Sequence, residues 1–196
     1  MGKVIFDISI SVDGFIAASG MTVDEGLGIG GEVLHDWAFR GDERDREVLE
    51  RAGGSLGAVI AGRRTYDNSI RWWGADGPTG PARIPLFVVS HGAPDDVPEG
   101  GVYTFMGDIR TALDAARATA GDGDVGIMGG ANVARQYLAA GLVDEISIHL
   151  VSVLLGSGTR LFGGGDGEWL GEHVRLARTE VVATDTATHL RFRVER

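Results

Sequence analysis

The stretch that most constrains the fold runs from Asp124 to Val151. Val125 to Met128 is a short apolar run of the kind that makes a buried strand, and Gly129-Gly130 follows it at once. Ala131 to Leu138 then has a helical pattern, a turn follows at Gly141, and Ile146, Ile148, Leu150 and Val151 make a second strand. Strand, crossover helix and strand form a βαβ unit, which calls for a sheet covered by helices. The paired glycines let the chain turn where a side chain would block close approach, so the helix begins at the strand's carboxyl end. Its first N–H groups face outward with partial positive charge and can hold a phosphate without any basic side chain. A glycine pair after a strand is also often just a tight turn, so the rest of the chain has to discriminate.

Composition narrows the choice. A chain of 196 residues with 43% hydrophobic and 23% charged residues can close one ordinary core, and no linker divides it, so residues 1–196 are expected to form one domain. Its 32 glycines are far above ordinary usage and predict many tight turns or backbone-lined sites. A net charge of -10 argues against nucleic acid or an anionic membrane as partner, so any phosphate site must be local. There is no cysteine, which excludes disulfides and thiolate metal sites; no metal is expected. The N-terminus lacks a long apolar signal segment and no run reaches the length of a membrane span, so a cytoplasmic location is expected.

Along the chain, Val4 to Val12 reads as a strand in which Ile8 and Ile10 alternate with Ser9 and Ser11, broken by Asp13-Gly14. Asp13 is a candidate catalytic carboxylate, although Asp before Gly is more often a turn residue. Gly20 to Gly31 reads as loop, and Leu34 to Phe39 as a helical turn carrying His35, Asp36 and Trp37. Asp42 to Ala52 is a helix opened by acidic residues and ended by Gly53-Gly54, its charge most simply a solvated face. Ala58 to Ala61 is a buried strand ending in Gly62-Arg63-Arg64-Thr65, a second anion-binding corner, now with side-chain charge; two ordinary surface arginines is the competing interpretation. Trp72-Trp73 and the following Gly/Pro stretch read as loop, Leu86 to Ser90 and Val102 to Phe105 as strands, and Asp108 to Ala120 as an amphipathic helix. His149 lies within the strand after the βαβ helix, where a satisfied core position competes with a chemical role. Val153 to Phe162 reads as loop, Gly163-Gly164-Gly165 as a turn, and Val174 to Ala183 with Ala187 to Glu195 as an antiparallel hairpin. The class is α/β, with a mixed, mainly parallel sheet.

Taken in order, Ser11-Val12-Asp13-Gly14-Phe15-Ile16-Ala17, Gly62-Arg63-Arg64-Thr65-Tyr66, Met128-Gly129-Gly130-Ala131-Asn132-Val133, Gly141-Leu142-Val143-Asp144-Glu145 and Leu154-Leu155-Gly156 resemble the dihydrofolate-reductase-like superfamily. The match is closest to the reductase domain of the riboflavin-biosynthesis deaminase-reductase and spans nearly the whole chain. The resemblance implies about eight strands, flanking helices, a C-terminal antiparallel hairpin, and NADPH bound across the carboxyl ends of the strands. Carried over by position, it places Gly129, Gly130, Asn132 and Val133 at the pyrophosphate and nearby ribose, and Gly62, Arg63, Arg64 and Thr65 toward the adenosine side, an arginine on the 2′-phosphate. Ser90 and His91 border the adenosine phosphate, while Ser9 and Ile16 flank the nicotinamide.

Two departures bear on the substrate. Dihydrofolate reductases set one carboxylate from the first long helix in the pterin pocket; here that position falls near Asp45-Arg46, amid charge, which speaks against folate reduction. Asp36 and Asp45 are the remaining acids to consider. The riboflavin branch needs an anchor for a ribose phosphate, and Arg160, in the loop that also carries Leu155, is its candidate here; the resemblance extends to the reductase domain alone, and no deaminase domain is expected. The expectation is a stand-alone NADPH-dependent reductase acting on a small heterocycle or carbonyl compound, with His149 first and Asp13 second as proton donor and Asp36, Leu155 and Arg160 toward substrate. A homodimer is implied by the resemblance alone. The alternative is an NADPH-binding module without turnover, a sensor or scaffold.

Overall fold

A computed structural model of the chain describes residues 2–163 and 170–195. The elements run β1 (Val4–Ser11), β2 (Phe15–Ala18), α1 (Asp36–Arg40), α2 (Glu43–Gly54), β3 (Leu56–Gly62), α3 (Arg63–Trp73), β4 (Leu86–Val89) and β5 (Tyr103–Met106). They continue with α4 (Ile109–Ala120), β6 (Asp124–Ile127), α5 (Ala131–Ala139), β7 (Glu145–Val151), β8 (Gly158–Arg160), β9 (Leu176–Ala183) and β10 (Ala187–Val194). Eight strands make one sheet in the order β5-β4-β3-β6-β1-β7-β10-β9. Pairings are parallel from β5 to β7 and antiparallel at β10 and β9, giving the expected mixed sheet and C-terminal hairpin.

The β6–α5–β7 unit forms as its sequence requires: Val125, Gly126 and Ile127 are buried beside β1, and α5 starts directly after Gly130. One face of the sheet carries the main core. Val4, Phe6, Ile60, Val125 and Ile127 pack there with Leu113 and Ala116 of α4 and Tyr137 and Leu138 of α5. Each large side chain buried this way contributes roughly 1.5–3 kcal/mol. The opposite face is covered in two separate places. Tyr66 of α3 covers Val59, Ala61, Leu86 and Val88, while Leu34 and Trp37 cover Val151 and Ala187. Between these covers the carboxyl ends of β1, β3 and β6 border a cleft. Strand order explains its place: β3, β4 and β5 step to one edge, whereas the chain leaving β6 crosses β1 to reach β7. Open α/β sheets bind ligands at such a reversal.

Three local expectations need correction. Trp72 and Trp73 are the last turn of α3 and not loop, because Tyr66, Ile70 and Trp73 form one helical stripe on the second core and Gly74, at φ 53°, ends the helix. The stretch from Val153 to Phe162 contains β8, which pairs antiparallel with β2 in a two-stranded ribbon; three residues of Gly-Thr-Arg carry no strand signal by themselves. The charge of α2 is also not all on a solvated face, since Asp45 is buried. Of the expected Gly163-Gly164-Gly165 turn, Gly164 and Gly165 lie outside the described residues.

Candidate functional site

Of the helices that start at the cleft, α3 and α5 begin with glycine. Gly62 precedes α3 and Gly130 precedes α5; neither helix has a side-chain cap or an acidic residue in its first turn. By contrast, α2 and α4 are capped by Asp42 and Asp108, each accepting from two backbone N–H groups. An uncapped first turn leaves N–H donors and the positive end of the dipole available to an anion. The two turns lie against each other: Gly62 N–H donates to the Gly129 carbonyl at 3.1 Å. A Cβ on Gly130 would sit 3.2 Å from Thr65 Oγ1, and Gly129 has φ 119°, a conformation for glycine. Thr65 therefore stands between the two helix starts.

The two arginines of the corner have different surroundings. Arg63 is committed to the scaffold: Nε donates to Asp67 at 2.7 Å, and Nη1 donates to the Gly92 carbonyl at 2.9 Å and to Ser90 Oγ at 3.3 Å. It ties α3 to the loop after β4. Arg64 is exposed at the cleft with no ion pair among the described residues. His91 is exposed beside it on the same lining, and Asn132 and Val133 lie in the first turn of α5. Ser9 and Ile16, both buried, line the cleft from β1 and β2. The structure thus brings all twelve expected cofactor-side residues onto one cleft.

Beyond Ser9 the cleft floor is polar in a way the sequence did not announce. Asp7, His35, Asp36 and Trp37 line it, and Asp36 pairs with Arg40 at 3.3 Å. His149 is 1% exposed and does not line the cleft; its Nε2 meets the Asp7 carboxylate at 3.2 Å. Its Nδ1 is 2.7 Å from His189 Nδ1, and His189 Nε2 is 2.7 Å from Asp45. Asp45 also accepts from Thr184, Thr186 and Asp42 N–H. Trp37 lies over the His149 ring at 4.1 Å and donates from Nε1 to Ser9 Oγ at 2.8 Å.

This layer follows from strand register. Asp7 pairs with Ser147, Ser9 with His149, and His149 with His189, so these side chains share the face beneath α1 and α2. Burial raises the Asp45 carboxyl, but hydrogen bonds from His189, Asp42, Thr184 and Thr186 outweigh it and hold it below its ordinary value. Burial likewise raises Asp7, and the charge and hydrogen bond of His149, with Ser147 and Arg191, bring it below the ordinary value. Burial pushes His189 down, partly opposed by Asp45. Sequence reasoning missed Asp7, His189 and this use of Asp45. The usable signal was the alternation of Asp7 with Ser9 and Ser11 in a buried strand.

Asp13, Leu155 and Arg160 come together elsewhere, outside the cleft lining. Asp13 accepts from Ser11 Oγ at 2.6 Å, Leu155 N–H at 3.1 Å and Gly156 N–H at 2.7 Å. The Ser11 hydrogen bond, with these backbone donors, lowers its carboxyl to about 2. Arg160 donates to the Asp13 carbonyl at 3.0 Å and covers the Phe15 ring at 4.3 Å. The geometry is that of a loop clasp.

The cleft measures about 1970 Å³, beyond the roughly 300–1,000 Å³ of a single small-molecule pocket. Exposed Trp72 and Phe39 stand on its rim. Among the described residues, no group of three or more His, Asp or Glu is arranged to hold a metal ion, and no helix is long and apolar enough to cross a membrane.

The comparisons agree with this architecture. A Bacillus subtilis protein of uncharacterised role, YwjB, is 26% identical over 160 residues, covering 82% of each sequence. The structure is similar to that of a candidate riboflavin biosynthesis protein from Shewanella sp. PV-4, with TM-score 0.69, 22% identity and 99% of both chains covered. It is also similar to dihydrofolate reductase from Enterococcus faecalis complexed with NADP(H), with TM-score 0.59, 13% identity and 100% and 98% coverage. At such identities these structures establish a shared dihydrofolate-reductase-like fold. The model of the RibD C-terminal domain matches residues 2–189, and the chain belongs to that family.

Proposed function

We propose that the protein is an NADPH-dependent reductase that transfers a hydride to an electrophilic carbon of a small heterocyclic or carbonyl substrate. The observation that carries this reading is the pair of uncapped, glycine-led helix starts facing one cleft with exposed Arg64 beside them. Family membership and the NADP(H) complex of the Enterococcus faecalis enzyme support the choice of cofactor. The residues present fit such a group: open N–H donors for a pyrophosphate, glycines where a Cβ would crowd Thr65, and an uncommitted guanidinium for a 2′-phosphate.

When bound, NADPH would supply a hydride from C4 of its nicotinamide. The N–H groups of α3 and α5 and the Thr65 hydroxyl hold the pyrophosphate, and Asn132 and Val133 border the adjoining ribose. Arg64, with His91, takes the 2′-phosphate, while Arg63 keeps Ser90 and the loop at Gly92 in place. Ser9 and Ile16 wall the nicotinamide end. Most of the catalytic benefit is placement of the reacting carbon against C4 in a site partly closed to water. The substrate then occupies the half of the cleft bordered by Asp7, His35, Asp36 and Trp37.

The test is loss of NADPH absorbance, under anaerobic conditions, across aminouracil ribosides, dihydropterins and small aldehydes. Oxidation with at least one class is expected. Tight NADPH binding with no oxidation by any of them would leave a binding module instead.

A further inference from the structure

Asp7, His149, His189 and Asp45 form an unbroken line of hydrogen bonds from the cleft into the protein. Only its first member reaches solvent: the Asp7 side chain is 37% exposed, against 1% for His149, 5% for His189 and 0% for Asp45. Ionised carboxylates only accept hydrogen bonds, and an imidazole nitrogen donates only when protonated. Bonding at His149 Nε2 to Asp7, between the two Nδ1 atoms, and at His189 Nε2 to Asp45 therefore needs three protons on four ring nitrogens. Two neutral imidazoles hold two. The pair thus carries one extra proton, and a fourth would leave the two Nδ1 atoms 2.7 Å apart with a hydrogen on each.

The surroundings select where this charge sits. Asp45 holds His189 Nε2–H, and the face of Trp37 lies 4.1 Å from the His149 ring, where a cation is favoured. The other groups facing Asp7 and the pair are His35 above the floor, Ser147 on β7 and Arg191 on β10. The arrangement is His149 donating through both ring nitrogens, to Asp7 and to His189, with His189 donating to Asp45.

Resting on the hydride-transfer reading, we infer that Asp7 is the catalytic proton donor and that His149, His189 and Asp45 are positioning residues that store and return its proton. Asp7 lies two residues before Ser9 on the same face of β1, about 7 Å along the strand, and lines the cleft together with His35, Asp36 and Trp37. A C=N or C=O bond that gains a hydride at carbon shifts its π pair onto nitrogen or oxygen, and that atom needs one proton. The proton leaves His149 Nε2 for the Asp7 carboxylate and passes from there to the substrate. The histidine pair is then neutral, with bare His149 Nε2 facing ionised Asp7. That unfavourable contact draws a proton back from water once product leaves. Nicotinamide oxidation balances the two electrons, and each turnover consumes one proton.

The experiment combines nitrogen-15 NMR of imidazole-labelled protein, with and without NADPH, and NADPH oxidation by the substrate classes above. Near neutral pH the wild type is expected to show three protonated ring nitrogens in the pair and one bare, with coupling across the Nδ1–Nδ1 bond. Two protons or four overturn the relay, whatever the activity. Asp7→Asn is expected to bind NADPH within about twofold of wild type and to lose at least a hundredfold in kcat, the usual weight of a positioned acid. An Asp7→Asn enzyme that keeps more than a tenth of wild-type kcat overturns the donor role. His189→Gln, which keeps Asp7, is expected to shift the pH profile of kcat and leave the KM for NADPH unchanged; an unmoved profile also counts against the relay. If the wild type binds NADPH and oxidises none, the hydride reading fails and the donor role with it, visibly and without recourse to the variants.

Discussion

Asp45→Ala is the substitution whose effect differs most from what its position on a charged helix suggests. Asp45 is fully buried and accepts four hydrogen bonds, from Asp42 N–H, Thr184, Thr186 and His189. The two hydroxyls can turn elsewhere, but the Asp42 N–H and the His189 Nε2–H cannot. Leaving these two donors without their charged acceptor costs about 3–5 kcal/mol together, at roughly 1–3 kcal/mol for each buried unsatisfied group. For a chain of 196 residues each kcal/mol moves Tm by about 2–4 °C, so a fall of about 6–20 °C is expected. Thermal and urea unfolding followed by circular dichroism at neutral pH read this directly. Glu47→Ala, two residues along on the exposed face, is the control and should stay within about 0.5 kcal/mol of wild type. The Asp45 carboxyl is depressed in the fold, so its contribution is present above the unfolded value of 3.8 and is lost as pH falls through the lower folded value. The difference between wild type and Asp45→Ala should therefore shrink below pH 3.8. An Asp45→Ala protein as stable as Glu47→Ala would refute the reasoning.

Further outcomes follow from other parts of the structure. Burial depresses His189 and His35, so both bind a proton more readily unfolded; stability is expected to decline as pH drops below 6.5, with a smaller decline in His35→Gln by titration of urea midpoints. Asp13, held at about 2, should contribute stability that disappears as pH falls from about 4 toward 2, and Asp13→Asn should lose less across that window in the same measurement. Gly130→Ala forces a methyl to 3.2 Å from Thr65 Oγ1, an overpacking of about 1 kcal/mol that should be smaller in a Thr65→Ala background by double-mutant unfolding. Asp108→Ala removes the cap of α4 and should cost about 1 kcal/mol by the same unfolding assay.

The parallel part of the sheet was legible because β3, β6 and β7 are apolar runs separated by helical patterns, and the cofactor side of the cleft because Gly62-Arg63-Arg64-Thr65 and Gly129-Gly130 mark strand ends. Backbone donors need only glycine and a helix start, which are local signals. The difference between Arg63 and Arg64 was not legible, since it depends on Asp67, Ser90 and Gly92 reaching one side chain. The same holds for the Asp13 clasp, which needs backbone from Leu155 and Gly156. The acid–histidine line was hidden for a stronger reason. Its members come from β1, α2, β7 and β10, and sheet register, not sequence spacing, brings them together. Asp45 read as part of a solvated face because its neighbours Glu43, Arg44, Arg46 and Glu47 are all charged.

The central claim is that the two helix starts and Arg64 together hold NADPH. Paired calorimetric titrations of the wild type and Arg64→Ala with NADPH and NADH test it most directly. The account predicts that the wild type binds NADPH at least tenfold more tightly than NADH, a difference of about 1.4 kcal/mol or more, and that Arg64→Ala narrows the gap to about threefold or less. Equal affinities of the wild type for the two nucleotides, or no binding of either, would contradict it.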